Sequence, residues 1–172
     1  LTATKIARPD LYKLLLQVPF SPARNFHEAL QSLWFIFAFV RLCGNWPGIG
    51  RLDWLLGNFL KNDLQGGVLN KSEAREILAS FFIKGCEWIQ SETPVGSGDA
   101  QHYQNIVLSG IDENGNEVTN EVTFLTLDIV EELAISDFPI TVRLNKNTSP
   151  ELKEKIACVM RHGGGIVAIY NE

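Results

Sequence analysis

The stretch that decides the fold is PITVRLNKNTSPELKEKIACVMRHGGGIVAIY, residues 139–170. In its first part, Pro139–Leu144, apolar and polar residues alternate, which predicts a strand. Ser149 followed by Pro150 is typical of a helix start, because serine caps free N–H groups and proline suits the first helical turn. The glycines at 163–165 then predict the end of this helix before another strand, IVAIY. The stretch therefore predicts a strand, a helix and a strand in succession.

The preceding segment extends this pattern by one strand and one helix. QNIVLSG, residues Gln104–Gly110, predicts a short buried strand. Asn120 is placed to cap a helix whose apolar residues recur at helical spacing. Strands that alternate with helices are normally parallel neighbours in one sheet. A hairpin stays open as an alternative, in which the turn residues DENG at 112–115 join two antiparallel strands.

The first half of the chain is predicted to be helical. One helix is expected after Ser21 and Pro22, and a second from about Arg51 to Leu60. A third begins near Asn70, where Glu73 can complete a capping box. Since three strands cannot close a barrel, and an open parallel sheet needs cover on both faces, we expect part of a larger fold.

Composition narrows the function. The chain has 172 residues, a net charge of −5 and interspersed acids and bases, so it lacks the basic stripe expected for nucleic-acid binding. Cysteines 43, 86 and 158 are far apart, which argues against disulfides and metal knuckles and favours the cytoplasm. The apolar run LWFIFAFV, Leu33–Val40, is shorter than the roughly 18 residues of a membrane span, and we expect a fully buried helix instead. The N-terminus does not read as a signal peptide, and both ends look like cuts in a longer chain.

Few residues form a recognisable catalytic pattern. His162 precedes a glycine at a predicted helix end, and His27 lies within a predicted helix, so both are expected to be structural. GSGDAQ lacks the lysine of a phosphate loop and precedes a strand, which excludes nucleotide binding there. Glu131 and Glu132 are adjacent on a helix and are expected on its surface. Asp99 and His102 follow a glycine-rich turn and are the best metal-ligating candidates, although two ligands are too few for a typical site.

Several segments, taken in order, resemble the glycyl radical enzymes, the family of pyruvate formate-lyase and the radical diol and choline lyases. They are VPFSPARNFHEALQSLWF, GRLD at Gly50–Asp53, NDLQGG, EAREILASFFIKGCEWI, QNIVLSGIDENGNEVTNEVTFLTLD, PITVRL and GGGIVAIYNE. The resemblance implies a barrel of two half-barrels wrapped in helices, inside which a cysteine loop and a glycine loop meet. Neither loop is present in this sequence, so no catalytic residue is assigned.

The resemblance implies a helix-rich α/β segment with a few strands of a pyruvate formate-lyase-like barrel, part of its first half-barrel. We treat 1–172 as one domain-sized segment, mainly helical over 1–95 and alternating between strand and helix over 96–172. The longer parent protein would cleave a C–C, C–O or C–N bond of a small organic substrate by thiyl radical chemistry in an anaerobe. Its glycyl radical would be installed by an activating enzyme with S-adenosylmethionine and an iron–sulfur cluster, and the parent would be a homodimer. The chain alone is expected to be inactive and to bind no cofactor or metal.

Four residues are implied to bind substrate. Asn45 and Trp46 match the positions where the diol-dehydratase branch has a His-Ser pair that contacts substrate, so a diol or glycerol is not the expected substrate. Arg143 ends a barrel strand, where its guanidinium could bind a carboxylate or form a structural ion pair. Tyr170 matches an aromatic residue at a strand end. The segment Tyr103–Asn105 holds a comparable position at the start of a strand.

Two other classes of function stay open. The chain could be a non-catalytic binding or scaffold module, in which its helical half packs against a partner. It could also be a metal-dependent hydrolase that uses Asp99 and His102.

Overall fold

A computed structural model describes residues 2–43, 48–86, 105–134, 138–163 and 166–172. These ranges contain seven helices and four strands. In chain order they are α1 (Thr2–Ala7), α2 (Pro9–Gln17), α3 (Phe26–Leu42), β1 (Gly50–Arg51), α4 (Leu52–Gln65), α5 (Lys71–Cys86), β2 (Ile106–Ser109), α6 (Glu121–Leu133), β3 (Ile140–Leu144), α7 (Pro150–Met160) and β4 (Val167–Asn171).

The four strands form one parallel sheet in the order β1-β2-β3-β4. The predicted parallel arrangement is confirmed, and the hairpin alternative is wrong, because β2 and β3 are parallel. The residues that flank the turn at DENG, Ile111 and Glu117, form an isolated antiparallel bridge and not a pair of strands. One strand was not predicted: β1 is two residues long, too short to show alternation. Its position depends on the backbone carbonyl of Asn105, which accepts hydrogen bonds from the N–H groups of Ile49 and Gly50, both at 3.1 Å.

The helical starts at α5, α6 and α7 are confirmed. Asn70 and Glu73 each accept the other's backbone N–H, and Ser149 accepts the N–H of Leu152. Asn120 caps α6 by accepting the N–H of Val122 at 2.9 Å. Such bonds satisfy donors that the first turn of a helix leaves free. The predicted second helix corresponds to α4, which continues five residues beyond the expected end, to Gln65.

The expected helix start at Ser21 and Pro22 is wrong. Helix α3 begins at Phe26, because the side chain of Asn25 accepts the backbone N–H of Glu28 at 2.9 Å and so caps the helix there. The expectation of a fully buried helix over Leu33–Val40 is also wrong, since Ile36 is 57% and Phe39 is 67% exposed. No helix in the described ranges is long and apolar enough to cross a membrane.

The core lies between one face of the sheet and the helices. From the sheet it receives the buried side chains of Ile106, Leu108, Ile140 and Val142. The residues that alternate with these are half-buried or exposed, except Ser109, which is buried. Because registered neighbours in a parallel sheet point to the same side, they form a second face, which we call the open face. Its members are Val107, Thr141, Arg143, Ala168 and Tyr170.

Candidate functional site

The structure brings together two of the residues predicted to bind substrate. Arg143 on β3 and Tyr170 on β4 are registered partners in the sheet, at the end where the parallel strands finish. We call this end the carboxyl edge. Asn45 and Trp46 lie outside the described residues, as do the proposed metal ligands Asp99 and His102.

The Arg143 side chain is held by an ion pair with Glu172, and the two side chains are 28% and 18% exposed. Burial lowers the pKa of Arg143, and the positive charge of Arg51 lowers it further. A guanidinium carries five N–H donors, and Glu172 is the acceptor that the described residues provide for it. Within the described ranges, Arg143 therefore combines an ion pair with further N–H donors that have no acceptor.

Arg51 crosses the end of β2. Its Nη2 donates to the carbonyl oxygens of Ser109 at 3.3 Å and Ile111 at 3.0 Å. Its Nε is buried and has no acceptor among the described residues. The sequence indicates Arg51 only as part of GRLD and as the approximate start of the second helix, and it predicts no contact for the side chain. The carbonyl contacts join β1 to residues almost sixty positions later, which no local pattern indicates.

Asp53 is the buried acid beneath this edge, with a side chain removed from solvent. Its Oδ2 accepts the backbone N–H of Ser109 at 2.6 Å and the hydroxyl of Thr123 at 2.7 Å. Its Oδ1 accepts the backbone N–H of Trp54 at 2.8 Å. Burial raises the pKa of Asp53, and these hydrogen bonds oppose that rise. Asp53 thus ties α4 to β2 and α6, a role that sequence reasoning missed.

Tyr170 lies on the open face at the carboxyl edge, and Asn105 directly precedes β2 at the opposite end of the sheet. Tyr170 is 61% exposed, so its ring and hydroxyl can reach a ligand without a change in the core. At the opposite end, the Asn105 side-chain oxygen accepts the hydroxyl of Thr141 at 3.1 Å. This contact gives Asn105 a structural partner.

A sequence profile of the family described as pyruvate formate lyase-like matches residues 11–172. The chain belongs to the pyruvate formate lyase-like family. The resemblance found in the sequence is thereby confirmed, and so is the expected helix-rich α/β segment of a barrel.

Curated relatives of this pyruvate formate lyase-like chain are enzymes with different names. Trans-4-hydroxy-L-proline dehydratase of Clostridioides difficile is 29% identical over 163 residues, which are 90% of this chain and 20% of that protein. Isethionate sulfite-lyase of Oleidesulfovibrio alaskensis is 25% identical over 162 residues, with the same shares. Indoleacetate decarboxylase of Tractidigestivibacter scatoligenes is 29% identical over 164 residues, 91% of this chain and 18% of that protein.

Solved structures show the same fold. A protein of 1,2-propanediol dehydration in Roseburia inulinivorans matches with a TM-score of 0.83 and 25% identity, covering 99% of this chain and 22% of that one. Hydroxyproline dehydratase of Clostridioides difficile, with trans-4-hydroxy-L-proline bound, matches with a TM-score of 0.81 and 27% identity, covering 92% and 21%. A glycyl radical enzyme from Archaeoglobus fulgidus matches with a TM-score of 0.80 and 26% identity, covering 92% of this chain and 21% of that one. This pyruvate formate lyase-like chain therefore spans about a fifth of the length of the relatives it matches.

Other chemically reactive residues lie away from the carboxyl edge. Cys43 is exposed and Cys158 half-buried, and both are free thiols. His162 lies 3.4 Å from Glu131, and His27 is exposed. In the parts of the chain that the structure describes, no three histidine, cysteine or acidic side chains are grouped as metal ligands.

Proposed function

We propose that this chain forms one part of the barrel of a larger glycyl radical enzyme. The whole enzyme would cleave a C–C, C–O or C–N bond of a small organic substrate by thiyl radical chemistry. The observation that supports this most strongly is the family match over residues 11–172. The relatives are named as a dehydratase, a sulfite-lyase and a decarboxylase, so their names support radical lyase chemistry without selecting one bond.

The substrate contact that we propose is the guanidinium of Arg143, with the ring of Tyr170 beside it. Arg143 is only partly exposed, and some of its N–H donors have no acceptor among the described residues. This combination suits a carboxylate or sulfonate group of a substrate. Tyr170 is the registered neighbour and is largely exposed. Asn45 and Trp46 would complete the pocket from the loop before β1.

The substrate class that we propose is a small molecule with a carboxylate or sulfonate group. Hydroxyproline, isethionate and indoleacetate, named for the relatives, all carry such a group. An arginine binds these groups through two parallel N–H donors, which a neutral diol cannot match. Propanediol and glycerol are therefore expected to be poor substrates.

The radical itself would be carried by cysteine and glycine loops that this sequence does not contain. A separate activating enzyme, with S-adenosylmethionine and an iron–sulfur cluster, would generate it, and the complete enzyme would be a cytoplasmic homodimer. This chain's own contribution would be to bind and orient the substrate at the carboxyl edge.

The test is activation of the full-length parent protein without oxygen, together with its activating enzyme, S-adenosylmethionine and a reductant. We expect a glycyl radical signal in electron paramagnetic resonance. We also expect turnover of at least one compound in a panel of trans-4-hydroxy-L-proline, isethionate, indoleacetate, 1,2-propanediol and glycerol. Absence of the radical signal would overturn the family chemistry, whereas turnover of only the two neutral alcohols would overturn the proposed anionic class.

Arg143→Lys in the parent tests the substrate contact. Lysine keeps the charge but loses the planar pair of donors, so KM should rise about tenfold with little change in kcat. Arg75→Lys is the matched control, because Arg75 also forms an ion pair, with Glu132, but lies on α5. An unchanged KM in Arg143→Lys would contradict the proposed contact.

A further inference from the structure

The turn that follows β2 has an unusual backbone. Ser109 has a φ of 63° and Gly110 a φ of 82°, so two consecutive residues are left-handed. For serine this conformation is uncommon and strained, and it persists only where surrounding contacts hold it.

Every polar group of Ser109 has a partner that holds the turn. Its N–H donates to Asp53 and its carbonyl oxygen accepts from Arg51. Its hydroxyl lies 2.8 Å from the Thr119 hydroxyl and 3.1 Å from a carboxylate oxygen of Glu117. The left-handed serine is therefore fixed from β1, from α4 and from the segment that leads into α6.

The other side of the turn supports the Arg143–Glu172 pair. A Cβ on Gly110 would lie 2.8 Å from Arg143 Cβ, 3.0 Å from Arg143 Nε and 2.8 Å from Glu172 Oε2. The next backbone N–H, that of Ile111, donates to the same Glu172 oxygen at 3.0 Å. The ion pair thus lies directly against the glycine backbone, at a distance that no other residue would allow.

We infer that the Ser109–Gly110 turn is the positioning element for the Arg143 guanidinium. Asp53 holds the turn from the core, and the bare backbone of Gly110 sets where Arg143 and Glu172 meet. The functional part of this inference rests on the proposed substrate contact of Arg143. The turn acts through Arg143 and need not touch substrate itself.

The experiment is Gly110→Ala in the full-length parent, with Gly115→Ala as the matched control. Gly115 lies in the same connection with a φ of 80°, but a Cβ there would have no atom within 4 Å. Both substitutions place an alanine at a similar left-handed φ. The difference between the KM values of the two variants therefore reports on the contact between the added Cβ and the ion pair. We expect Gly110→Ala to raise KM about tenfold more than Gly115→Ala, with kcat changed less than about threefold.

Crystal structures of the two variants separate this inference from the proposed function. We expect the guanidinium to move by about 1 Å or more in Gly110→Ala only, because its Cβ contacts would be shorter than van der Waals distance. A moved guanidinium with unchanged KM, in both Gly110→Ala and Arg143→Lys, would support the positioning role and overturn the substrate contact. An unmoved guanidinium with the KM of the control would overturn the positioning role.

If Gly110→Ala does not fold, Asp53→Asn tests the same turn from the core. The neutral amide of asparagine is a weaker acceptor for the Ser109 N–H, so the turn should be held less firmly. Gly110 itself is kept in this variant. We expect a smaller rise in KM, about threefold, and a guanidinium that is displaced from its wild-type position in the crystal. A wild-type KM and guanidinium position in folded Asp53→Asn would overturn the inference.

Discussion

The carboxylate of Asp53 accepts a 2.6 Å hydrogen bond from the backbone N–H of Ser109, a residue 56 positions later in the chain. The bond is buried, and the same oxygen also accepts the hydroxyl of Thr123. Removal of one partner from a buried hydrogen bond leaves the other unsatisfied, which costs about 1–3 kcal/mol. Asp53 therefore stabilises the contact between α4, in the helical part of the chain, and β2 of the sheet.

Asp53→Asn should change how stability depends on pH. Because burial raises the pKa of Asp53 in the folded state, the native protein binds this proton more tightly than the unfolded chain does. The stabilisation is then complete below the unfolded value of 3.8 and is lost as the pH rises through the folded pKa. We expect the wild-type free energy of unfolding, minus that of Asp53→Asn, to fall as the pH rises through this window in urea titrations of the 172-residue chain.

Asp112→Asn gives a control of opposite sign. Hydrogen bonds from Asn116, first from its backbone N–H, lower the pKa of Asp112. Its contribution to stability is present above 3.8 and is lost as the pH falls through the folded pKa. If the wild-type free energy of unfolding, minus that of Asp53→Asn, rose with pH, our account of the buried carboxyl would be contradicted.

Gly85→Ala should destabilise the core. A methyl group at Gly85 on α5 would overlap the ring of Phe138. Phe138 is fully buried, and its ring centroid lies 5.2 Å from that of Phe82. Overpacking of this kind costs about 1–3 kcal/mol. The measurement is a double-mutant cycle by urea denaturation, in which Phe138→Leu should cost less in the Gly85→Ala background than in the wild type. Additive effects would show that the two side chains do not compete for space.

Lys155→Gln should weaken the contact between α6 and α7 in a salt-dependent way. The Lys155 ammonium pairs with Asp128 and Glu131, and its hydrogen bond is the main cause of the lowered pKa of Glu131. Salt screens such partly exposed pairs, so the loss of stability should shrink between low and 1 M salt. Lys153→Gln on the same helix is the control, because Lys153 has no ion pair within the ranges that the structure describes. Equal losses for the two lysines would refute the role of the pair.

Tyr170→Phe in the full-length parent should affect substrate use more than stability. Tyr170 is 61% exposed, so we expect loss of its hydroxyl to leave no buried group unsatisfied. If the hydroxyl binds substrate, KM should rise several-fold while the melting temperature stays within about 1 °C. A wild-type KM would remove Tyr170 from the proposed pocket.

The 172-residue chain alone should show neither turnover nor a glycyl radical signal under the conditions that activate the parent. We expect this because the sequence shows neither the cysteine loop nor the glycine loop that the family resemblance implies for the radical. The activated parent protein, assayed on the same substrates, is the positive control. Turnover by the isolated chain would show that its chemistry is of another kind.

Local signals in the sequence were sufficient for most helices and three strands. Asn70, Asn120 and Ser149 cap the helices they were expected to cap, because a cap depends on residues only two or three positions apart. Ser21 and Pro22 carry a similar signal, but the helix is capped by Asn25, whose side chain accepts the backbone N–H of Glu28. Propensity alone does not rank two neighbouring caps.

Long-range contacts were beyond local signals. The strand β1 and the roles of Arg51 and Asp53 depend on carbonyl and amide groups of residues 105–111, and nothing near GRLD indicates them. The neighbouring positions of Arg143 and Tyr170 were predictable, because consecutive parallel strands end at one edge. Whether these two residues bind substrate stays a prediction.

The strand order, which follows the chain order, has a kinetic consequence. A single helix joins β2 to β3 and another joins β3 to β4, whereas β1 reaches β2 only after α4, α5 and the chain between them. Closing the longer loop costs more entropy and makes that pairing slower to form. The amide protons of β2 and β3 should therefore be among the slowest to exchange with deuterium, and those at Ile49 and Gly50 among the first to exchange.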